Sequence, residues 1–141
     1  MAKNIKPVAA LLTDAAHCEF IGVAIAERMS LEETVRLTDT LGRLKVPMRR
    51  LLINNVIPDE AAGLCAFCAA RRDEQLKVIK SFRRSLNGMT MFVAPQQRHE
   101  LRGPKRLSEH FASCHRMSDE PRVDPRRAAM RRTKATTDSV L

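Results

Sequence analysis

Three apolar runs recur along the chain, and each is followed by a longer stretch with helical spacing. The runs are "CEFIGVAIA" (Cys18–Ala26), "MRRLLINNVI" (Met48–Ile57) and "MTMFVA" (Met89–Ala94). Runs of this length, rich in aliphatic and β-branched residues, read as strands buried on both faces of a sheet. Strands that alternate with helices require a parallel sheet with right-handed crossovers. That order constrains the fold more than any other feature of the sequence.

The intervening segments supply the helices. In "SLEETVRLTDTLGRLK" (Ser30–Lys45), Ser30 and Glu33 have the spacing of a capping box. Leu31, Val35, Leu37, Leu41 and Leu44 follow at broadly helical spacing. A second helix is expected over about 65–85, with Phe67, Leu76, Ile79 and Phe82 as its apolar face. The Asn87-Gly88 pair stops it, since glycine past a helix end adopts the left-handed conformation readily. "PDEAAGL" (Pro58–Leu64) reads as a loop, "PQQRHELRGPKR" (Pro95–Arg106) as a polar loop, and "KRLSEHFASCH" (Lys105–His115) as a short helix.

The expected architecture is therefore α/β, in the order β-α-β-α-β-α. Residues 1–17 form an N-terminal segment, 18–115 a partial α/β domain, and 116–141 a charged tail without apolar period, read as disordered. That tail is a solvated terminus or a basic RNA- or lipid-binding segment. Three parallel strands make a poor free-standing sheet, because both faces need cover and an apolar edge strand invites aggregation. The chain thus reads as the C-terminal fragment of a larger α/β domain. Its missing strands would come from an N-terminal region or another chain.

The sequence holds no Trp or Tyr and five Phe, so its core must be aliphatic. The net charge of +9 favours anionic partners, or else simply solvates a basic surface. No run approaches the roughly 20 apolar residues of a membrane helix. Asp14 cuts the apolar stretch near the N-terminus short of a signal-peptide core. The chain is expected to be cytoplasmic, where its four cysteines, Cys18, Cys65, Cys68 and Cys114, would be reduced. Metal or redox chemistry is then expected before structural disulfides.

Cys65 and Cys68 form a C-x-x-C at a helix start. Two thiolates on one helix face are half of a closed tetrahedral zinc site. The other local donors, His17/Cys18 and Cys114/His115, lack the spacing of a self-contained finger. A second copy of the chain across a twofold axis would complete a four-cysteine site. The rival is thioredoxin-like redox chemistry, with a helix N-terminus lowering a thiol pKa and Ala94-Pro95 as its proline. That fold needs an antiparallel hairpin after the proline, whereas this sequence leads into a helix. Two ordinary thiols without a shared role are the third alternative.

The strands end on polar or turn residues: Glu27, Asn54-Asn55 and Pro95. Ligands of open α/β sheets bind beyond the carboxyl ends of strands, and an Asn amide there offers a base edge both a donor and an acceptor. A turn-forming Asn pair would look the same. There is no G-x-x-x-x-G-K-S/T phosphate loop, no cluster among the five glycines, no Ser-His-Asp arrangement and no H-E-x-x-H. Alone, the chain carries no evident catalytic apparatus.

Four blocks, "IAERMSLEETVRL" (Ile25–Leu37), "LLINNV" (Leu51–Val56), "CAFCAARRDEQ" (Cys65–Gln75) and "APQQRHELRG" (Ala94–Gly103), occur in this order and at similar spacing in the arsenite/anion-transporting ATPases, which the chain resembles. That family includes the tail-anchored-protein targeting ATPase. The resemblance spans about residues 18–112 and corresponds to the C-terminal part of a P-loop nucleotide-binding domain. It implies that Glu27 matches a nucleotide-contacting acid, in some members supplied by the partner subunit. Asn54 matches the adenine-binding Asn, although many members have Asn-Gln where this chain has Asn54-Asn55. Pro95, Gln96, Gln97, Arg98, His99, Glu100, Leu101 and Arg102 match the loop around the adenine. Cys65 and Cys68 match the C-x-x-C that shares one zinc between two subunits. The implied cofactors are ATP with Mg and zinc. The implied partners are a second copy, a nucleotide, and a membrane transporter or tail-anchored client, with no direct nucleic-acid binding. The family's P-loop has no counterpart, so ATP hydrolysis is expected only together with such a region.

Overall fold

In a computed structural model the protein is a mixed α/β structure. The structure describes residues 5–117, with side chains from Lys6 onward. The elements run α1 (Ile5–Thr13), β1 (Ile21–Ile25), α2 (Arg28–Arg43), β2 (Arg50–Val56), α3 (Asp59–Leu64), α4 (Ala66–Ser85), β3 (Thr90–Pro95), α5 (Gly103–Ser113) and β4 (His115–Arg116). The sheet order is β1-β2-β3-β4. The first three strands are parallel and occupy the three expected runs.

The in-register rows Gly22, Leu51, Met91 and Ala24, Ile53, Val93 form one buried face. Ile79, Phe82 and Leu86 pack against it, with Leu31, Val35 and Leu76 partly buried around them. Leu51, Ile53 and Phe82 are the largest fully buried side chains. Gly22 sits where a Cβ would collide with the end of the Met48 side chain, so this row of the sheet accepts no larger residue without repacking.

β1 departs from its reading as a doubly buried strand. Its pattern alternates, with Gly22 and Ala24 buried and Ile21, Val23 and Ile25 exposed. α2 contacts β1, α4 contacts β2, and the two helices contact each other, whereas α5 reaches β3. Nothing among the described residues covers the outer face of β1, which is also an edge strand.

Other expectations are corrected. α2 starts at Arg28 with Glu27 as its cap residue and no side-chain cap. The Ser30 hydroxyl instead accepts from the Ile25 N–H at 3.2 Å, so the capping box does not form. Leu37 and Leu44 are exposed, as is Phe67 on α4, because only one stripe of each helix meets the sheet. "PDEAAGL" is mostly helical: α3 has Asp59 and Glu60 in its first turn, where carboxylates complement the helix dipole. The helix expected over Lys105–His115 runs from Gly103 to Ser113, with a proline in its first turn.

His115 belongs instead to β4, which pairs antiparallel to β3 through Phe92↔Arg116 and Val93↔His115. Among the described residues the sheet therefore has four strands, one of them antiparallel. Arg116 and Met117 are ordered against the sheet; the Met117 N–H donates to the Met91 carbonyl at 2.9 Å. The rest of the tail, 118–141, lies outside the described residues. The N-terminal segment contains α1, whose Val8, Leu11 and Leu12 are exposed. No described helix is long and apolar enough to cross a membrane.

Candidate functional site

Parallel strands bring their carboxyl ends to one edge, so Glu27, Asn54, Asn55 and Pro95 share that edge. The geometry at β2 is unusual. Pairing with β3 is regular to Ile53, then slips between Ile53 and Val56. Asn55 takes φ 58°, a left-handed conformation that Asn tolerates better than most residues.

The slip is held by α4. Gln75, buried to 8% exposure, donates from Nε2 to the Asn55 carbonyl at 3.0 Å and accepts from the Ile57 N–H at 2.9 Å. One turn earlier Arg72 donates to the Ile57 carbonyl and pairs with Asp59 at 2.9 Å. The loop after β3 is tied to the same place, since the Gln96 N–H donates to the Val56 carbonyl at 2.8 Å.

These ties leave an open cleft of about 380 Å³ between the Asn pair and the loop. Asn54, Pro95, Gln97, Arg98, His99, Glu100 and Leu101 line it, together with Asn55 and His110. An adjoining hollow of about 400 Å³ lies between the loop and α5, where Arg106, Glu109, His110 and Ser113 add to the wall. The α5 residues carried no motif in the sequence. Asn55 was visible only as half of the Asn pair.

Three expected residues are not on the cleft wall. Gln96 contributes its backbone tie. Arg102 binds Glu100, with Nε to Oε2 at 2.9 Å and Nη2 to Oε2 at 2.7 Å. Glu27 is half-exposed and pairs with Arg71 of α4 at 3.3 Å. The cleft offers amides, an apolar flank at Pro95 and Leu101, and the cation Arg98 beside the Glu100 carboxylate; Arg106 adds a second cation in the adjoining hollow. That combination suits a flat heteroaromatic ring attached to an anion.

Cys65 caps α4 and breaks it from α3; its Sγ accepts from the Cys68 N–H at 3.4 Å. That N–H, the Cys68 side chain and the Phe67 N–H lower the Cys65 thiol pKa. The hydrogen bond that the Cys68 thiol donates to the Cys65 sulfur, together with partial burial, raises that of Cys68. Cys65 is exposed, and its neighbours Leu64 and Phe67 expose 83% and 73% of their surface. Among the described residues no group of three or more His, Cys, Asp or Glu could hold a metal ion. One copy therefore presents two thiols and no further donor beside them.

A model of the anion-transporting ATPases matches residues 1–114. ATPase GET3B of Arabidopsis thaliana is 32% identical over 105 residues, which are 73% of this chain and 25% of that protein. ATPase ASNA1 homolog 2 of Paramecium tetraurelia is 32% identical over 104 residues, 73% of this chain and 31% of that protein. The putative arsenical pump-driving ATPase 2 of Aquifex aeolicus is 28% identical over 90 residues, 64% of this chain and 29% of that protein. The chain spans about a quarter to a third of the length of these relatives.

Proposed function

Because the chain belongs to the anion-transporting ATPase family, we propose that it supplies the adenine-recognition rim of such an ATPase and the thiol pair of its dimer contact. The observation that carries this reading is the cleft that places Asn54 opposite Pro95 and Gln97–Leu101. Asn54 would hydrogen-bond the base, Pro95 and Leu101 would flank the ring, and Arg98 would face the phosphate side. Gln96 and Arg102 would shape the loop, through Val56 and Glu100 respectively. Glu27, held by Arg71, would meet a nucleotide only after that pair opens.

ATP with Mg would be the ligand of the complete assembly, and the metal-bound triphosphate would supply the phosphoryl group for transfer. No phosphate loop occurs in the sequence, so hydrolysis would need that region from elsewhere. The bare outer face of β1, with Ile21, Val23 and Ile25 exposed, supports a further sheet surface against this one. Residues 18–115 would then be part of a larger ATPase domain. An arsenite pump or a tail-anchored client, the partners the family resemblance implies, would use the whole assembly in the cytoplasm.

Titration with mant-ATP, a fluorescent ribose-modified ATP, tests the rim. Asn54→Ala should bind about 5- to 50-fold more weakly, the loss of one or two hydrogen bonds to a base. An unchanged affinity, or no binding by the unmodified chain, would overturn the reading.

The dimer contact rests on separate observations. Cys65 and Cys68 sit at an exposed helix start, and Leu64 and Phe67 flank them as uncovered apolar side chains. A second copy would cover that apolar pair and complete a zinc site of four cysteines. About one zinc per two chains, lost in Cys65→Ser, is the expected stoichiometry. A metal-free protein with a reversible Cys65–Cys68 disulfide would favour the redox alternative, which the acidified Cys65 thiol also supports.

A further inference from the structure

His110 lines both the cleft and the adjoining hollow. It comes from α5, outside the loop and the strand ends. Its Nδ1 lies 3.1 Å from Nε2 of Gln97, and the same Nε2 donates toward the Pro95 carbonyl at 3.4 Å. The Pro95 carbonyl can only accept. A flipped amide would set two acceptors, Gln97 Oε1 and Pro95 O, against each other. The amide nitrogen therefore faces this side of the loop as a donor, and His110 Nδ1 is placed to accept from it.

The amide nitrogen of Gln97 is thus turned to two groups of the protein. The atom left for a ligand is Oε1, on the other side of the amide carbon. A free acceptor at a base-binding wall discriminates by sign. Adenine offers an exocyclic amino donor where guanine presents a carbonyl oxygen. Asn54 cannot make this distinction alone, because an amide with no side-chain partner among the described residues can turn either a donor or an acceptor to the base.

We propose that His110 is a specificity-positioning residue: it locks the Gln97 amide with its oxygen toward the cleft, so that the site takes adenine nucleotides and rejects guanine nucleotides. This rests on the nucleotide reading of the cleft. His110 acts through Gln97 and need not touch the base. It packs beside Phe111, with ring centroids 5.7 Å apart, so a phenylalanine at 110 keeps an aromatic ring there while removing Nδ1.

The test is a set of mant-ATP and mant-GTP titrations on the full chain and on His110→Phe, Gln97→Ala and the double variant. The unmodified chain should prefer mant-ATP. His110→Phe should lower the ATP-to-GTP preference about tenfold, the scale of one lost directional hydrogen bond, with an unchanged melting temperature. In the Gln97→Ala background the same substitution should change the preference no further, because the two residues act as one unit. A preference unchanged in His110→Phe, or an effect that persists without Gln97, would overturn the proposal and leave the nucleotide site standing. Binding of neither nucleotide by the unmodified chain would overturn both.

Discussion

The side chain of Gln75 completes the hydrogen bonding of the backbone at Asn55. Its Nε2 reaches the Asn55 carbonyl at 3.0 Å, and its Oε1 takes the Ile57 N–H at 2.9 Å. The register slip between Ile53 and Val56 interrupts the β2–β3 ladder there. An amide supplies one donor and one acceptor, the pair that two backbone groups around an irregular residue require. Helix α4 thereby fixes the strand end that carries Asn54.

Gln75→Leu removes both bonds and leaves two backbone groups without their partner at a part-buried site. The expected cost is about 1–3 kcal/mol, read as a lowered urea midpoint. Gln75→Glu still accepts from Ile57 but cannot donate to Asn55, so it should also destabilise. A loss below about 0.5 kcal/mol in Gln75→Leu, the scale of an ordinary surface change, would mean that the Asn55 turn holds itself.

The sequence was informative where periodicity and burial coincide. The three parallel strands coincide with the expected runs, β3 reaching one residue further to Pro95, because Leu51, Ile53, Met91 and Val93 fill a real core. It misjudged β1 because Ile21, Val23 and Ile25 are apolar although exposed, so the run looks doubly buried. Ser30 misled in the opposite way: the spacing of a capping box was present, but tertiary structure gave its hydroxyl to Ile25. β4 has only two residues, too few to carry any period. Within the cleft, the strand ends followed from the order of strands and helices, whereas the loop entered only through the family resemblance. His110 was not legible, since α5 reaches the cleft through tertiary packing, and Gln75 looked like any polar helix residue.

Phe82 tests the core itself. It is fully buried within the cluster of Leu51, Ile53, Ile79 and Met91. Phe82→Ala should cost about 3–5 kcal/mol, from lost transfer energy and the cavity left behind. Calorimetric or urea unfolding checks this. A loss under about 1 kcal/mol, far below the usual cost of such a cavity, would show that α4 does not anchor the sheet.

The two thiols of the C-x-x-C should react unequally. Cys65 is lowered by the Cys68 N–H first, whereas Cys68 is raised by its hydrogen bond with Cys65. A lowered thiol holds more thiolate at any pH below the ordinary value of about 8.5, and thiolate is the nucleophile. In metal-free protein at neutral pH, limiting iodoacetamide should therefore mark Cys65 ahead of Cys68 in peptide mass spectra. Equal or inverted labelling would contradict the helix-cap geometry.

Acid should weaken the joint between β1 and β2. Glu19 takes hydrogen bonds from Arg50, with Nε at 2.9 Å, and from the Arg49 N–H at 3.2 Å. The Arg50 side chain holds its carboxyl below the usual range. A carboxyl lowered on folding contributes stability that is present above its unfolded value, about 4.3. That contribution fades as pH falls through the lower folded value. Urea midpoints should therefore drop more steeply below about pH 4.3 in the unmodified chain than in Glu19→Gln. Parallel curves would show that the ion pair adds nothing.

The outer face of β1 makes the last prediction. Ile21, Val23 and Ile25 alternate along an edge strand, and Val23 exposes 65% of its surface. An apolar edge with free backbone groups is a template for pairing with another chain. The chain on its own should therefore self-associate with rising concentration in sedimentation velocity. Val23→Lys places a charge on that face without touching the core side of the strand. It should reduce the association while changing stability by no more than about 0.5 kcal/mol. Leu64, Cys65 and Phe67 lie at the junction of α3 and α4, away from this face, so association that survives Val23→Lys and is lost only with Cys65→Ser would assign it to the thiol end instead.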